Sequence, residues 1–267
     1  MKNKPIGIFD SGLGGLTAVK EISKLMPNED IIYFGDTGRV PYGNRSYETI
    51  IKYARQDIAF LKSINVKIIA VACGTVSSTF IKTNFEKNVI GVIEPTCITA
   101  ANLTKNKNIG VIGTTATINS NTYKHQLGKI DNSISVYQKS CPLLVPLIEN
   151  GFISPSNEIL FKTVQMYLAP FIALNIDTLI LGCTHYPIIE NVISNLMPGI
   201  KIINSGKETA KFICKKLTEQ NLKNTQNTPG TIKFFVSDSI ENFSDTAAKF
   251  LGYDICKNVQ KIDINKY

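Results

Sequence analysis

The sequence predicts an α/β protein of two similar lobes, each a mostly parallel sheet flanked by helices, with the active site between them. Three observations carry this expectation. Short β-branched runs alternate with helix-length amphipathic stretches, which is the pattern of βαβ units. One strand pattern recurs in the two halves of the chain. The length of 267 residues is near the size at which a single core divides into two.

Strands are expected at residues 6–9, 31–34, 66–72, 89–93, 109–112, 178–181, 201–203 and 232–236, each followed by a helix-length segment. Ser154-Pro155 reads as a cap ahead of a first-turn proline, and Ser205 with Glu208 has the spacing of a capping box. The polar stretch 221–229 reads as a linker that ends at Gly230. Residues 65–75 lie on residues 175–185 without a gap, and each segment is an apolar strand ending on a cysteine, Cys73 or Cys183, followed by small polar residues. Upstream, Ile6-Gly-Ile-Phe-Asp10-Ser11 pairs with Ile109-Gly-Val-Ile-Gly113-Thr114 in the same way. The first lobe is expected to hold residues 1–94 and 207–267, the second residues 95–206.

Composition excludes several classes. With 43% apolar and 19% charged residues the chain is an ordinary folded protein. No apolar run approaches the roughly 20 residues of a membrane span, so no membrane partner is expected. The basic start Met1-Lys2-Asn3-Lys4 leads into an apolar run that stops at Asp10, too short for a secretory signal, and a cytoplasmic location is expected. The formal charge is +8, but only three of the basic residues are arginines and the lysines are dispersed, so nucleic acid is not favoured as a partner. The six cysteines form no C-x-x-C pair, and no metal site is expected.

In an open parallel sheet, ligands bind beyond the carboxyl ends of the strands, where helix N-termini present free N–H groups. Those ends here carry Asp10-Ser11, Asp36-Thr37, Cys73-Gly74-Thr75, Gly113-Thr114 and Cys183-Thr184-His185. Lobes facing each other across a pseudo-two-fold axis would bring Cys73 and Cys183 to opposite sides of one bound molecule. Two thiols so placed suit removal of a proton from one face of a carbon and its return on the other, one sulfur serving as base and its partner as acid. Hydrogen bonds to an adjacent carboxylate would hold the carbanion without a cofactor.

Several motifs in order then resemble the glutamate racemases of the aspartate/glutamate racemase superfamily: Asp10-Ser-Gly-Leu-Gly-Gly15, residues 33–43, Cys73 with Thr75, Gly91-Val-Ile-Glu-Pro95, residues 109–114, and Leu181-Gly-Cys-Thr-His-Tyr-Pro187. The resemblance implies cofactor-independent interconversion of L- and D-glutamate for peptidoglycan precursors, by a homodimer. It implies that Cys73 takes the α-proton from D-glutamate and Cys183 from L-glutamate, with Asp10 supporting the first thiol and His185 the second. Ser11, Tyr42, Gly43, Thr75 and Thr184 would hold the α-amino and carboxylate groups, with Thr114 and Thr117 as further candidates. Glu149 matches an acidic position near the second cysteine. Gly74 stands where the family usually has an Asn whose amide meets substrate, so weaker binding or a shifted pocket is expected there.

Plainer readings stand beside these. Cys97, Cys141, Cys214 and Cys256 read as packing residues, and His125 as a solvated helix residue. Asp10 has a second reading as a helix cap, and Asp36 with Tyr42 as turn closers around Pro41. Gly12-Leu-Gly14-Gly15 partly imitates a dinucleotide fingerprint but has Thr17 where the third glycine belongs. A nucleotide-binding module and a noncatalytic regulatory protein on the same scaffold are therefore the rival functions.

Overall fold

The computed structural model describes residues 1–80 and 86–267. Among them, a first sheet contains β1 (Ile6–Asp10), β2 (Ile31–Gly35), β3 (Ile68–Val71), β4 (Val89–Gly91), β9 (Ile232–Val236) and β10 (Val259–Lys261), in the order β10-β9-β2-β1-β3-β4. A second contains β5 (Asn108–Gly113), β6 (Ser135–Ser140), β7 (Thr178–Leu181) and β8 (Lys201–Asn204), in the order β6-β5-β7-β8. Every pairing is parallel. The run β2-β1-β3-β4 repeats as β6-β5-β7-β8, with β1 answering β5 and β3 answering β7, as the aligned segments of the sequence anticipate.

Both faces of each sheet are buried, which is why the strands read as continuous apolar runs. Alternate residues feed different cores. In the first sheet Ile8 and Ile68 pack with α1 (Leu16–Leu25) and α10 (Ser205–Glu219), whereas Phe9 and Ile69 pack with α2 (Tyr47–Ser63). In the second, Ile180 faces α4 (Ile93–Leu103) and α6 (Thr122–Ile130), while Leu181 faces α7 (Leu144–Glu149) and α8 (Glu158–Ala173). The remaining helices are α3 (Gly74–Phe80), α5 (Thr115–Asn119), α9 (Glu190–Leu196) and α11 (Ile240–Leu251).

Four local expectations need correction. Strands β6 and β10 are absent from the predicted set. β6, SVYQKS, is an edge strand with no fully buried residue, and β10 is three residues long, so neither carries an apolar run. Ile93 opens α4 and does not extend β4. Ser154-Pro155 lies ahead of α8, whose cap is Asn157, with Oδ1 accepting from Leu160 N–H at 2.9 Å. α10 is capped by Asn204, whose Oδ1 accepts from Lys207 N–H. Ser205 is the first helical residue and donates to the Leu181 carbonyl, while Glu208 accepts from Thr99. The capping-box spacing is thus offset by one residue from the real cap. No helix among the described residues is long and apolar enough to cross a membrane.

Candidate active site

The carboxyl ends of β1, β3, β5 and β7 meet around a cavity of about 270 Å³. It is lined by Ser11, Gly12, the segment 40–43, Cys73, Gly74 and Thr75 from one side. Thr114, Thr115, Thr117, Cys141, Pro142, Val145, Pro146, Glu149 and residues 182–185 line the other. Cys73 and Cys183 therefore open onto one space, each almost fully buried at 5% and 7% exposure. Ser11, Tyr42, Gly43, Gly74, Thr75, Thr114, Thr117, Thr184, His185 and Glu149 are all in the wall, as the sequence reading asks.

Each sulfur has its own electrostatic setting. Cys73 Sγ donates to Ser11 Oγ at 3.4 Å. Burial, reinforced by the Asp10 carboxylate, pushes the Cys73 thiol up to about 12, against the pull of the Ser11 hydroxyl and the N–H groups of Val76 and Ser11. On the other side Cys183 Sγ lies 3.8 Å from His185 Nδ1, and His185 Nε2 lies 3.0 Å from Glu149 Oε1. Burial of the imidazole opposes its charge, but the contacts to Cys183 and Glu149 outweigh it and push His185 up to about 10. One thiol thus faces an acid and the other a protonated base.

Asp10 stands behind the wall and not in it, 1% exposed. Its Oδ2 accepts from Gly12 N–H and Gly15 N–H, each at 3.1 Å, so it holds the glycine turn that leads into α1. Both readings of Asp10 therefore meet in one residue: it ties the turn and sits beside Cys73. Its Oδ1 is buried without a partner, and burial raises its pKa despite the nearby His185 and the backbone N–H groups. The Gly12–Gly15 turn is not an open phosphate cradle. Two of its N–H groups are spent on Asp10, and a Cβ at Gly14 would lie 2.5 Å from His185 Nδ1.

Tyr42 departs from its expected part. Its ring lines the cavity, but its hydroxyl donates to Asp36 Oδ2 and lies 3.1 Å from Asp57 Oδ2. Arg39 completes the cluster, with Nε 2.5 Å from Asp36 Oδ2, a terminal nitrogen 2.9 Å from Asp57 Oδ1, and its guanidinium 4.1 Å from the Tyr53 ring centre. Both carboxylates are fully buried. Burial and the Asp36 charge push Asp57 well above the usual carboxylate range against the pull of Arg39. The phenol is therefore committed to this cluster, which pins the 40–43 segment against the site. Asp57 and Arg39 went unrecognised in the sequence because α2 brings Asp57 to the strand end from a distance that no local motif marks.

Cys141 packs in the core of the second sheet, as its reading expects, and also borders the cavity, with Pro142, Val145 and Pro146 forming an apolar side beside Glu149. The motif Pro146-Leu-Ile-Glu149 was the available signal for this wall. Of the four cysteines read as packing residues, Cys256 departs: it is exposed at the end of the first sheet's last crossover. Across the cavity a hydroxyl chain links the lobes: Thr75 Oγ1 is 3.2 Å from Thr114 Oγ1, which is 3.0 Å from Thr117 Oγ1. Thr17 Oγ1 donates to the Thr184 carbonyl at 2.9 Å. No group of three or more His, Cys, Asp or Glu side chains among the described residues is arranged to hold a metal ion.

The geometry can be set beside known proteins. The family model described as Asp/Glu/hydantoin racemase matches residues 17–213. The chain is 42% identical to glutamate racemase of Thermoanaerobacter pseudethanolicus over all of both chains, and 44% identical to that of Persephonella marina over 98% of each. Among solved structures, glutamate racemase of Francisella tularensis in complex with D-glutamate superposes with a TM-score of 0.91, at 39% identity and full coverage of both chains. Isoform RacE1 of Bacillus anthracis superposes at 0.92, with 37% identity over 98% of each.

Two outcomes are expected from this geometry. Arg39→Met leaves two buried carboxylates facing each other, and unfolding by urea should show a loss of about 3–5 kcal/mol. For His185 the folded pKa lies above the ordinary 6.5. Its contribution to stability is therefore complete below about pH 6.5 and is lost as the pH rises through about 10. The difference in urea midpoint between the parent and His185→Gln should shrink across that window, and a constant difference would contradict the assignment.

Proposed function

The chain belongs to the Asp/Glu/hydantoin racemase family, and on that footing we propose that it interconverts L- and D-glutamate by a two-cysteine acid/base mechanism that needs no cofactor. The observation that carries the proposal is that Cys73 and Cys183, on strand ends of different sheets, open onto one cavity. The relatives named glutamate racemase, alike over the full chain, and the structure solved with D-glutamate support the same substrate.

In this reading the glutamate carboxylate and ammonium sit among Ser11, Gly43, Thr75, Thr114, Thr117 and Thr184. Tyr42 shapes this part of the cavity through its ring. Cys183 Sγ removes the α-proton of L-glutamate, and the electron pair of the broken C–H bond passes into the carboxylate as an enediolate. His185, held by Glu149, stands beside that sulfur, and the hydroxyls favour negative charge on the enediolate. Cys73 begins as a thiol and delivers its proton to the opposite face, giving D-glutamate. In the reverse direction the roles swap: Cys73, left as the thiolate when it has given up its proton, takes the α-proton of D-glutamate, and Cys183, now the thiol, returns one to the opposite face. Further proposals rest on the resemblance: a homodimer in the cytoplasm that supplies D-glutamate for peptidoglycan and thereby sustains cell wall and cell shape. The division into residues 1–94 with 207–267 and residues 95–206 is also proposed, and it is supported by the way the strands sort between the two sheets.

The test is circular dichroism on L-glutamate without pyridoxal phosphate. Ellipticity should decay to zero, while Cys73→Ser and Cys183→Ser should each slow the decay by about 10²–10⁴-fold, the usual share of general acid–base catalysis. Each variant should still exchange the α-hydrogen of one enantiomer with deuterated solvent. Full racemisation in both variants would falsify the mechanism.

A further inference from the structure

We infer that Asp57 is a positioning residue for the substrate cavity: as a neutral acid it donates to the Tyr42 hydroxyl, and through that bond it fixes the wall formed by Tyr42 and Gly43. The inference deepens the glutamate reading above and rests on it. Asp57 lies on α2, and its carboxyl is fully buried. It reaches the cavity wall through Tyr42.

The assignment follows from counting protons. The Tyr42 oxygen is within hydrogen-bond distance of two carboxyl oxygens, Asp36 Oδ2 and, at 3.1 Å, Asp57 Oδ2. A phenol carries one proton and can fill only one of these contacts. The hydroxyl donates to Asp36, the nearer of the two. Asp57 Oδ2 then faces a lone pair on the phenol oxygen, an arrangement that repels if Asp57 is ionised and bonds if it bears a proton. Asp36 is equipped as the ion. Its Oδ2 also accepts from Arg39 Nε at 2.5 Å and its Oδ1 from Ser237 Oγ at 2.7 Å. Among the described residues, Asp57 receives an N–H at Oδ1 alone, from Arg39 at 2.9 Å. A proton on Asp57 also balances the charge, since Arg39 is then matched by Asp36 and the buried cluster is neutral. Burial and the Asp36 charge, with a smaller push from Asp10, raise Asp57 against the pull of Arg39 and Tyr42, in agreement with the count.

What this arrangement fixes is the turn beside the ligand. Tyr53, Gln56 and Asp57 share one face of α2. The Tyr42 ring stands 5.3 Å from the Tyr53 ring, centre to centre, and Arg39 donates to Gln56 Oε1 at 2.5 Å. Ser237, which follows β9 beside β2, accepts from Gly38 N–H at 2.8 Å and holds the segment at a second point. Tyr42 opens a 3₁₀ turn over Tyr42–Asn44, and a Cβ at Gly43 would lie 3.8 Å from Thr114 Cβ, in ordinary contact with the hydroxyl chain across the cavity. A slip of Tyr42 therefore moves this wall. A wall grips the ligand equally before and during proton transfer, so loosening it raises KM and spares kcat. Mirror-image substrates have equal free energies, and KM must then rise alike for both.

The experiment compares the parent chain with Asp57→Asn, Asp57→Ala and Asp36→Asn. KM and kcat are read for both enantiomers by circular dichroism, and melting temperature by scanning calorimetry. Infrared difference spectra, parent minus Asp57→Asn, read the protonated carboxyl stretch at neutral pH. An amide reproduces the neutral acid, accepting from Arg39 and donating to Tyr42, so Asp57→Asn should keep KM and melting temperature close to those of the parent. Asp57→Ala takes the donor from the phenol oxygen, and KM should rise about tenfold for both enantiomers with kcat changed far less. Asp36→Asn removes the charge that Arg39 pairs, and should raise KM at least as much and lower the melting temperature. The difference spectrum should show one protonated carboxyl, and with Asp57→Asn it decides the question if either of the other variants does not fold. A missing band, an Asp57→Asn that unfolds or matches Asp57→Ala in KM, or a parent-like KM in a folded Asp57→Ala would each overturn the inference and leave the glutamate reading standing. Absence of racemisation in the parent chain would overturn that reading, and the positioning role with it.

Discussion

Backbone against backbone at the lobe seam is the contact on which the rest of this structure depends. A reaction that removes a proton from one face of a carbon and delivers another to the opposite face needs a base on one side and an acid on the other, both within reach of the same atom. A single sheet cannot provide this, since its strand ends all point the same way. Two sheets with the same local strand order, turned toward each other, can do so if nothing bulky stands between them. Glycines make room there: Gly14 for the Thr184 and His185 side chains, and Gly74 for the Gly182 carbonyl. The hydroxyl bridges then fix what these short contacts permit.

The two halves share a plan but differ in their electrostatics. Cys73 is backed by a carboxylate whose free oxygen is unpartnered, and Cys183 by an imidazole that is itself held by a carboxylate. In the proposed reaction the two directions start from mirror-image substrates, so each thiol meets a different enantiomer and the two settings need not match. The repeated strand order supplies the geometry, and the residues next to each cysteine set the two sides apart: Ser11 at Cys73, His185 with Glu149 at Cys183.

Much of this was legible before any coordinates, because the buried parallel strands announce themselves as apolar runs and end on polar triplets that differ from ordinary turns. Cys73-Gly-Thr and Cys183-Thr-His are local, and their alignment was visible as a repeat. What stayed hidden was whatever depends on packing across distance. β6 presents no apolar run because it is an edge with half-exposed side chains. The direction of the Tyr42 hydroxyl is set by Asp57 on α2 and cannot be read from its own neighbourhood, where a substrate contact was the simpler expectation. Cys141 satisfies every compositional sign of core filler while lining the cavity. The two helix caps were missed by one to three residues because Ser, Asn and Pro near a boundary compete for the same role, and only the side-chain geometry decides between them.

The committed Tyr42 hydroxyl changes how selectivity is to be understood. Were that group free, the 40–43 segment would offer a flexible donor, and ligands of different length could each find a partner. Bound instead to Asp36 and Asp57, with Arg39 closing the cluster over Tyr53, the segment presents its backbone, Pro41 and an aromatic ring as a rigid surface. In the proposed reading, recognition then falls to the hydroxyl chain and to backbone N–H groups facing the cavity. The apolar wall of Pro142, Val145 and Pro146 bounds the rest of the cavity. A racemase must not prefer one hand strongly, since tight binding of either enantiomer would slow its release. The proposed arrangement, a frame built from both lobes with a sulfur on either side of one cavity, is suited to that requirement.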